Sequence, residues 1–248
     1  MSDNHIILLG DSIFDNASYV KTGELDVTEQ VRSLLPEGSR VTRLALDGDV
    51  TAGVAHQMSR LPDDASHLFV SVGGNDALER IDILQKSVSI AGEALYELNS
   101  IREAFEERYS NMLDSVLKAE LPTAICTIYY PRFNCRSLER MVDFFQVLSN
   151  NGSSAEKLQN SAMSALAVYN DVIMKQAVER GLPIIDLRVL CNEDADFANP
   201  IEPSAHGGKK IAETIYRIAD HHDFHNANSV MYKRVEKVPI FIKNNFNL

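Results

Sequence analysis

What this 248-residue chain lacks narrows the field first. It has three cysteines, Cys126, Cys135 and Cys191, with no CxxC pair. An odd, scattered set argues against a disulfide framework and against a zinc site, and reads as free thiols. No GxGxxG follows the first apolar run and no Walker sequence occurs, which disfavours a nucleotide-binding domain. No apolar run approaches the roughly 20 residues that span a bilayer, so no integral membrane segment is expected. The start, Met1-Ser2-Asp3-Asn4-His5, offers neither a positively charged region nor a small-residue cleavage site, and a cytoplasmic location is the expectation. Basic residues are in deficit: 24 Lys and Arg stand against 35 Asp and Glu, a formal net charge of −11. That excess repels phosphate backbones and anionic lipid, so neither nucleic acid nor a membrane surface is expected as the main partner.

What is present is ordinary for a globular chain: a 45% hydrophobic share is enough to bury a core. Short β-rich runs alternate with longer helical patterns. Strands are expected at His5–Leu9, Arg40–Leu46, His67–Val72, Thr123–Tyr130 and Leu182–Leu187. Continuous rather than alternating apolarity, clearest in the first and last, suggests parallel strands covered on both faces. Helices are expected at Asp26–Leu35, which stops at Pro36, and at Thr51–Leu61, Leu98–Ala119, Ala155–Arg180 and Gly208–His221. The third carries Ile101, Phe105, Tyr109, Met112, Val116 and Leu117 on one stripe. This alternation implies a three-layer αβα sandwich on a flavodoxin-like, five-stranded parallel sheet. The domain is expected to cover 1–221. Residues 222–248, with Lys233, Arg234, Lys237 and Lys243, read as a C-terminal extension. Two stretches exceed a minimal core: 82–97, and 136–154 with a helix and an Asn-Asn-Gly-Ser-Ser turn.

Three motifs follow strands. Gly10-Asp11-Ser12 places a serine at the carboxyl edge of the sheet, where open α/β proteins build their sites. Backbone N–H groups in a turn there can hold an oxyanion. Asp47-Gly48-Asp49 follows the second strand, and Gly48 can present its N–H to the same space. Gly73-Gly74-Asn75-Asp76 follows the third, and an asparagine amide is a neutral donor suited to an oxyanion. Each motif alone is as consistent with a turn or a helix cap. Their convergence on one rim is what raises them.

The order Gly-Asp-Ser, then a lone glycine, then Gly-x-Asn-Asp resembles the first three blocks of the SGNH (GDSL-type) hydrolases. The resemblance covers most of the chain, to about His221. It implies Ser12 as the nucleophile of an ester hydrolase, with Ser12 N–H, Gly48 N–H and the Asn75 amide as the oxyanion hole. Gly73 and Asp76 would be structural members of the third block. It implies a small-molecule ester, acyl or acetyl, of a lipid or carbohydrate as substrate, an acyl-enzyme intermediate and no cofactor.

The last block departs from the family's Asp-x-x-His. Registering Gly207 and Ile211-Ala212 on that block puts Glu202 at the histidine position and Asn199 at the aspartate position. Three routes follow. His206, four residues beyond Glu202, reaches inward if the helix has already begun. Alternatively Glu202 is itself the base, which requires burial to raise a carboxyl pKa from about 4. In the third, the site no longer hydrolyses and binds a carbohydrate or a protein partner. A metal held by Glu202 and Asp11 has the least support, since no ligand spacing is recognisable. His221, His222 and His225 read as a solvated helix end. Arg132 and Arg136 flank Cys135 in the loop after the fourth strand and read as surface residues.

Overall fold

A computed structural model describes residues 3–133, 155–226 and 228–233. Cys135, Arg136, the 136–154 insertion and the tail from Arg234 onward lie outside the described residues.

Strand β1 (His5–Gly10) is buried at every position. Its side chains alternate between two cores, as a pleated strand requires. Ile6 and Leu8 face one core, Ile7 and Leu9 the other. The same alternation splits Phe69 from Leu68 and Val70 on β3 (His67–Ser71), and Ala124 and Cys126 from Ile125 on β4 (Thr123–Cys126). Helices α1 (Val27–Leu34) and α7 (Ala205–His221) cover the first face. Helices α4 (Ala91–Leu117) and α5 (Ala155–Glu179) cover the second. The intervening helices are short: α2 (Val54–Met58), α3 (Gly74–Leu78) and α6 (Leu187–Leu190).

With β2 (Arg40–Arg43), β5 (Ile184–Ile185) and a last strand, β8 (Met231–Tyr232), the sheet order is β2-β1-β3-β4-β5-β8, and every pairing is parallel. The expected five strands are therefore joined by a sixth. Two residues cannot display a period, so β8 leaves no pattern in the sequence. Order reverses at β1, between β2 and β3, and ligands bind at the carboxyl edge of such a switch point. A separate ribbon pairs β6 (Phe197–Asn199) antiparallel with β7 (Glu202–Pro203).

The helices differ from expectation mainly at their starts. Helix α4 begins seven residues before Leu98 and absorbs part of the 82–97 link. Helix α7 begins at Ala205 rather than Gly208, because the Ser204 hydroxyl accepts hydrogen bonds from the N–H groups of His206 and Gly207. No helix among the described residues is long and apolar enough to cross a membrane.

Candidate active site

The chain leaves β1 through Gly10, whose φ is +124°. A Cβ there would sit 1.8 Å from the Ser71 carbonyl oxygen, which also accepts the Asp11 N–H. Glycine is required by both conformation and space. Gly10→Ala is expected to cost ~1–3 kcal/mol through overpacking alone, read as a fall in the urea midpoint; an unchanged midpoint would refute this close approach. Past Gly10 the chain makes one turn, with the Phe14 and Asp15 N–H groups donating to the Asp11 carbonyl. Ser12 lies in that turn, buried. Its hydroxyl donates to Glu202 Oε1 at 3.1 Å.

Glu202 arrives from the far end of the chain on β7. Three contacts fix it there. Asn199 Oδ1 accepts the N–H groups of Ile201 and Glu202, at 3.0 Å each. The Tyr129 hydroxyl donates to the Ile201 carbonyl. Asn16 donates to the Pro203 carbonyl at 3.1 Å and accepts the Val27 N–H, tying the Ser12 turn, α1 and β7 together. Asn199 thus holds the backbone that carries Glu202. The carboxyl is buried, and its Oε2 has no hydrogen-bond partner. Burial raises the Glu202 pKa to about 8; the hydrogen bond from Ser12 lowers it, and the charges of Asp11 and Asp47 add to the rise. Asp11 beneath it is likewise pushed by burial to about 7, against the Ile13 N–H, which pulls the other way.

Asn75 and Gly48 approach from the neighbouring strand ends. Gly48 has φ +80° in an open turn. A Cβ there would meet nothing within 4 Å, so conformation alone calls for glycine. The Asn75 amide donates to the Asp49 carbonyl at 2.8 Å, and its second hydrogen is not used by that bond. Neither the Ser12 N–H nor the Gly48 N–H donates to another described residue. Gln57 locks this arrangement. Its side chain exchanges two hydrogen bonds with the Gly10 backbone and donates to Asp49 Oδ2 at 2.7 Å. Asp76 accepts from both the N–H and the hydroxyl of Thr51. Gln57 and Asn16 carry no motif in the sequence. Their only marks are complete burial of a polar side chain, which requires the fold to be known.

His206 lies elsewhere. Helix α7 starts after Glu202, so the one-turn spacing between the two residues does not apply. The half-exposed ring faces Asp196 and Glu193, with Nε2 3.7 Å and 3.9 Å from their carboxylates. It does not border the cavity at Ser12, whereas Asn75 and Glu202 do. Ligand atoms of Glu193, Asp196 and His206 come within 4.8 Å of one another. The buried Lys210 ammonium already stands 2.7 Å from Asp196 and 3.2 Å from Glu193, supplying the positive charge a cation would bring.

Beside Ser12 opens a cavity of about 110 Å³ between the sheet edge, α4 and α5. The Asn170 side chain shapes its wall by exchanging two hydrogen bonds with the Ile128 backbone.

Neither a model of a known protein family nor a curated protein matches the sequence. Solved structures do match. An extracellular lipase from Streptomyces rimosus is 18% identical at a TM-score of 0.55, over 90% of this chain and 100% of its own. An acetyl xylan esterase is 16% identical at 0.56, over 86% and 98%. A protein assigned to the G-D-S-L family of Desulfitobacterium hafniense DCB-2 is 12% identical at 0.55, over 87% and 99%. The fold is that of the SGNH hydrolases. At these identities the likeness is one of architecture. In this chain the contact at the serine hydroxyl is the Glu202 carboxyl.

Proposed function

We propose that the protein hydrolyses a carboxylic ester through an acyl-enzyme on Ser12, with Glu202 as the general base. The observation that carries this reading is the hydrogen bond from Ser12 Oγ to Glu202 Oε1. An ordinary carboxylate is too weak a base for an alcohol; one raised to about 8 is matched to the task near neutral pH. Ser12 Oγ attacks the ester carbonyl carbon and its proton passes to Glu202. The anionic oxygen is held by the N–H groups of Ser12 and Gly48 and by the Asn75 amide. Collapse expels the alcohol, which takes the proton back from Glu202. Water then repeats the sequence to release the acid. His206 has no part in these steps, and no cofactor is called for. That the lipase and the acetyl xylan esterase of the same fold act on esters agrees with the reading.

The test is covalent labelling. Wild type exposed to a fluorophosphonate is expected to gain one adduct on Ser12, found by mass spectrometry of the peptide, and Ser12→Ala is expected to gain none. Absence of an adduct, together with no turnover of p-nitrophenyl esters above the Ser12→Ala background, would leave the site as one that only binds.

A further inference from the structure

The cavity beside Ser12 is uneven in its chemistry. Asp11, Ser12, Ser71, Asn75 and Glu202 border it from the strand ends, and Arg80 borders it just beyond α3. Much of the remaining wall is aliphatic, with Ile83, Leu84, Ile101, Ile128 and Leu166 facing in. The hydroxyls of Tyr129 and Tyr169, which also border it, are spent on the carbonyls of Ile201 and Asp76. A sugar placed against this aliphatic wall would leave the hydroxyls that face it unpaired, a heavy cost out of water. A hydrocarbon would lose nothing. Ala165 on α5 keeps the space open where a larger side chain would fill it. The volume, about 110 Å³, is below the ~150 Å³ of an apolar cavity that holds benzene.

We propose that this cavity receives the acyl side of the substrate and selects an uncharged aliphatic chain of about four carbons over an acetyl group. The inference rests on the reading of Ser12 as the nucleophile and adds the class of acid it carries. Burial of each further methylene is worth about a fourfold gain in kcat/KM while the cavity has room. Butyrate, with two more methylenes, should then exceed acetate by about fifteenfold. Chains that outgrow the cavity gain nothing more.

The experiment compares p-nitrophenyl acetate, butyrate, hexanoate and decanoate on wild type, Ala165→Leu and Leu84→Ala, with Ser12→Ala as background. Expected are a butyrate optimum in wild type, its loss in Ala165→Leu with acetate within about twofold of wild type, and a shift toward hexanoate in Leu84→Ala. The opposite directions of the two variants separate cavity shape from general damage to folding. Acetate turned over as well as butyrate in wild type would overturn the inference and leave the hydrolase reading standing. No turnover of any ester would remove the hydrolase reading. Calorimetric binding of pentan-2-one to Ser12→Ala then decides the rest: binding abolished by adding Ala165→Leu supports an apolar ligand site, and no binding overturns it.

Discussion

Glu202→Gln is expected to lower kcat/KM for the preferred ester by about 10²–10⁴, the usual contribution of a positioned base. Glutamine keeps the shape of the side chain and can still accept from Ser12, so the loss isolates proton transfer. The pH dependence gives a second, independent signature. The base must be ionised to take the Ser12 proton. Since burial holds Glu202 protonated up to about pH 8, kcat/KM of wild type should climb through pH 7 and reach half its limit near pH 8. An imidazole base would have completed its rise by about pH 7.5. In Glu202→Gln the limb near pH 8 should be gone. A wild-type profile that is already flat above pH 6, or a variant that retains most of its activity, would eliminate Glu202 as the base. His206→Ala serves as the companion measurement, expected to leave kcat/KM within about twofold, as for a surface substitution.

The second large effect is on stability. Asp11 and Glu202 both titrate higher in the folded protein than in the unfolded chain, Asp11 at about 7 and Glu202 at about 8. Below about pH 4 both states are protonated and the two groups cost nothing extra. As pH rises, the unfolded chain releases these protons first. The folded state keeps them, and each group withdraws about 1.4 kcal/mol per pH unit, Asp11 from about pH 4 to 7 and Glu202 from about pH 4 to 8. The pair should therefore remove several kcal/mol between pH 5 and 9, seen as a falling urea midpoint. Glu202→Gln, which cannot ionise, should flatten the upper part of that fall and leave the part due to Asp11. Equal midpoints at pH 5 and pH 9 in wild type would mean that both carboxyls are solvated, and would also remove the physical basis for Glu202 as a base near neutrality.

Both effects follow from burial around one turn, and that explains which parts were readable from the sequence. Strand β1 was legible because Ile6 to Leu9 form an unbroken apolar run. The stripe from Ile101 to Val116 was legible because it repeats at helical spacing, and all of its members through Val116 are buried on one core. Gly10, Ser12, Gly48 and Asn75 stood out because each follows a strand. Strand β8 was not legible, being two residues long. The start of α7 was misplaced by three residues because the Ser204 cap was not recognised; even from Ala205 the helix begins after Glu202, which lies on β7, so the one-turn relation between Glu202 and His206 does not hold.

The sequence by itself determined the αβα architecture, since hydrophobic periodicity is local and the alternation of strands and helices leaves few topologies. The resemblance of its last block to the SGNH pattern singled out Glu202 and Asn199 as candidate partners of the serine. It could not decide what those partners do. Ser12 and Glu202 are 190 residues apart, and their contact depends on Asn16, Tyr129 and Asn199 holding the β7 backbone against the turn after β1. The pKa of Glu202 and the apolar cavity beside Ser12 likewise arise only when distant segments exclude water together. Proximity and burial are sums over the folded chain, and no local pattern in the sequence records them.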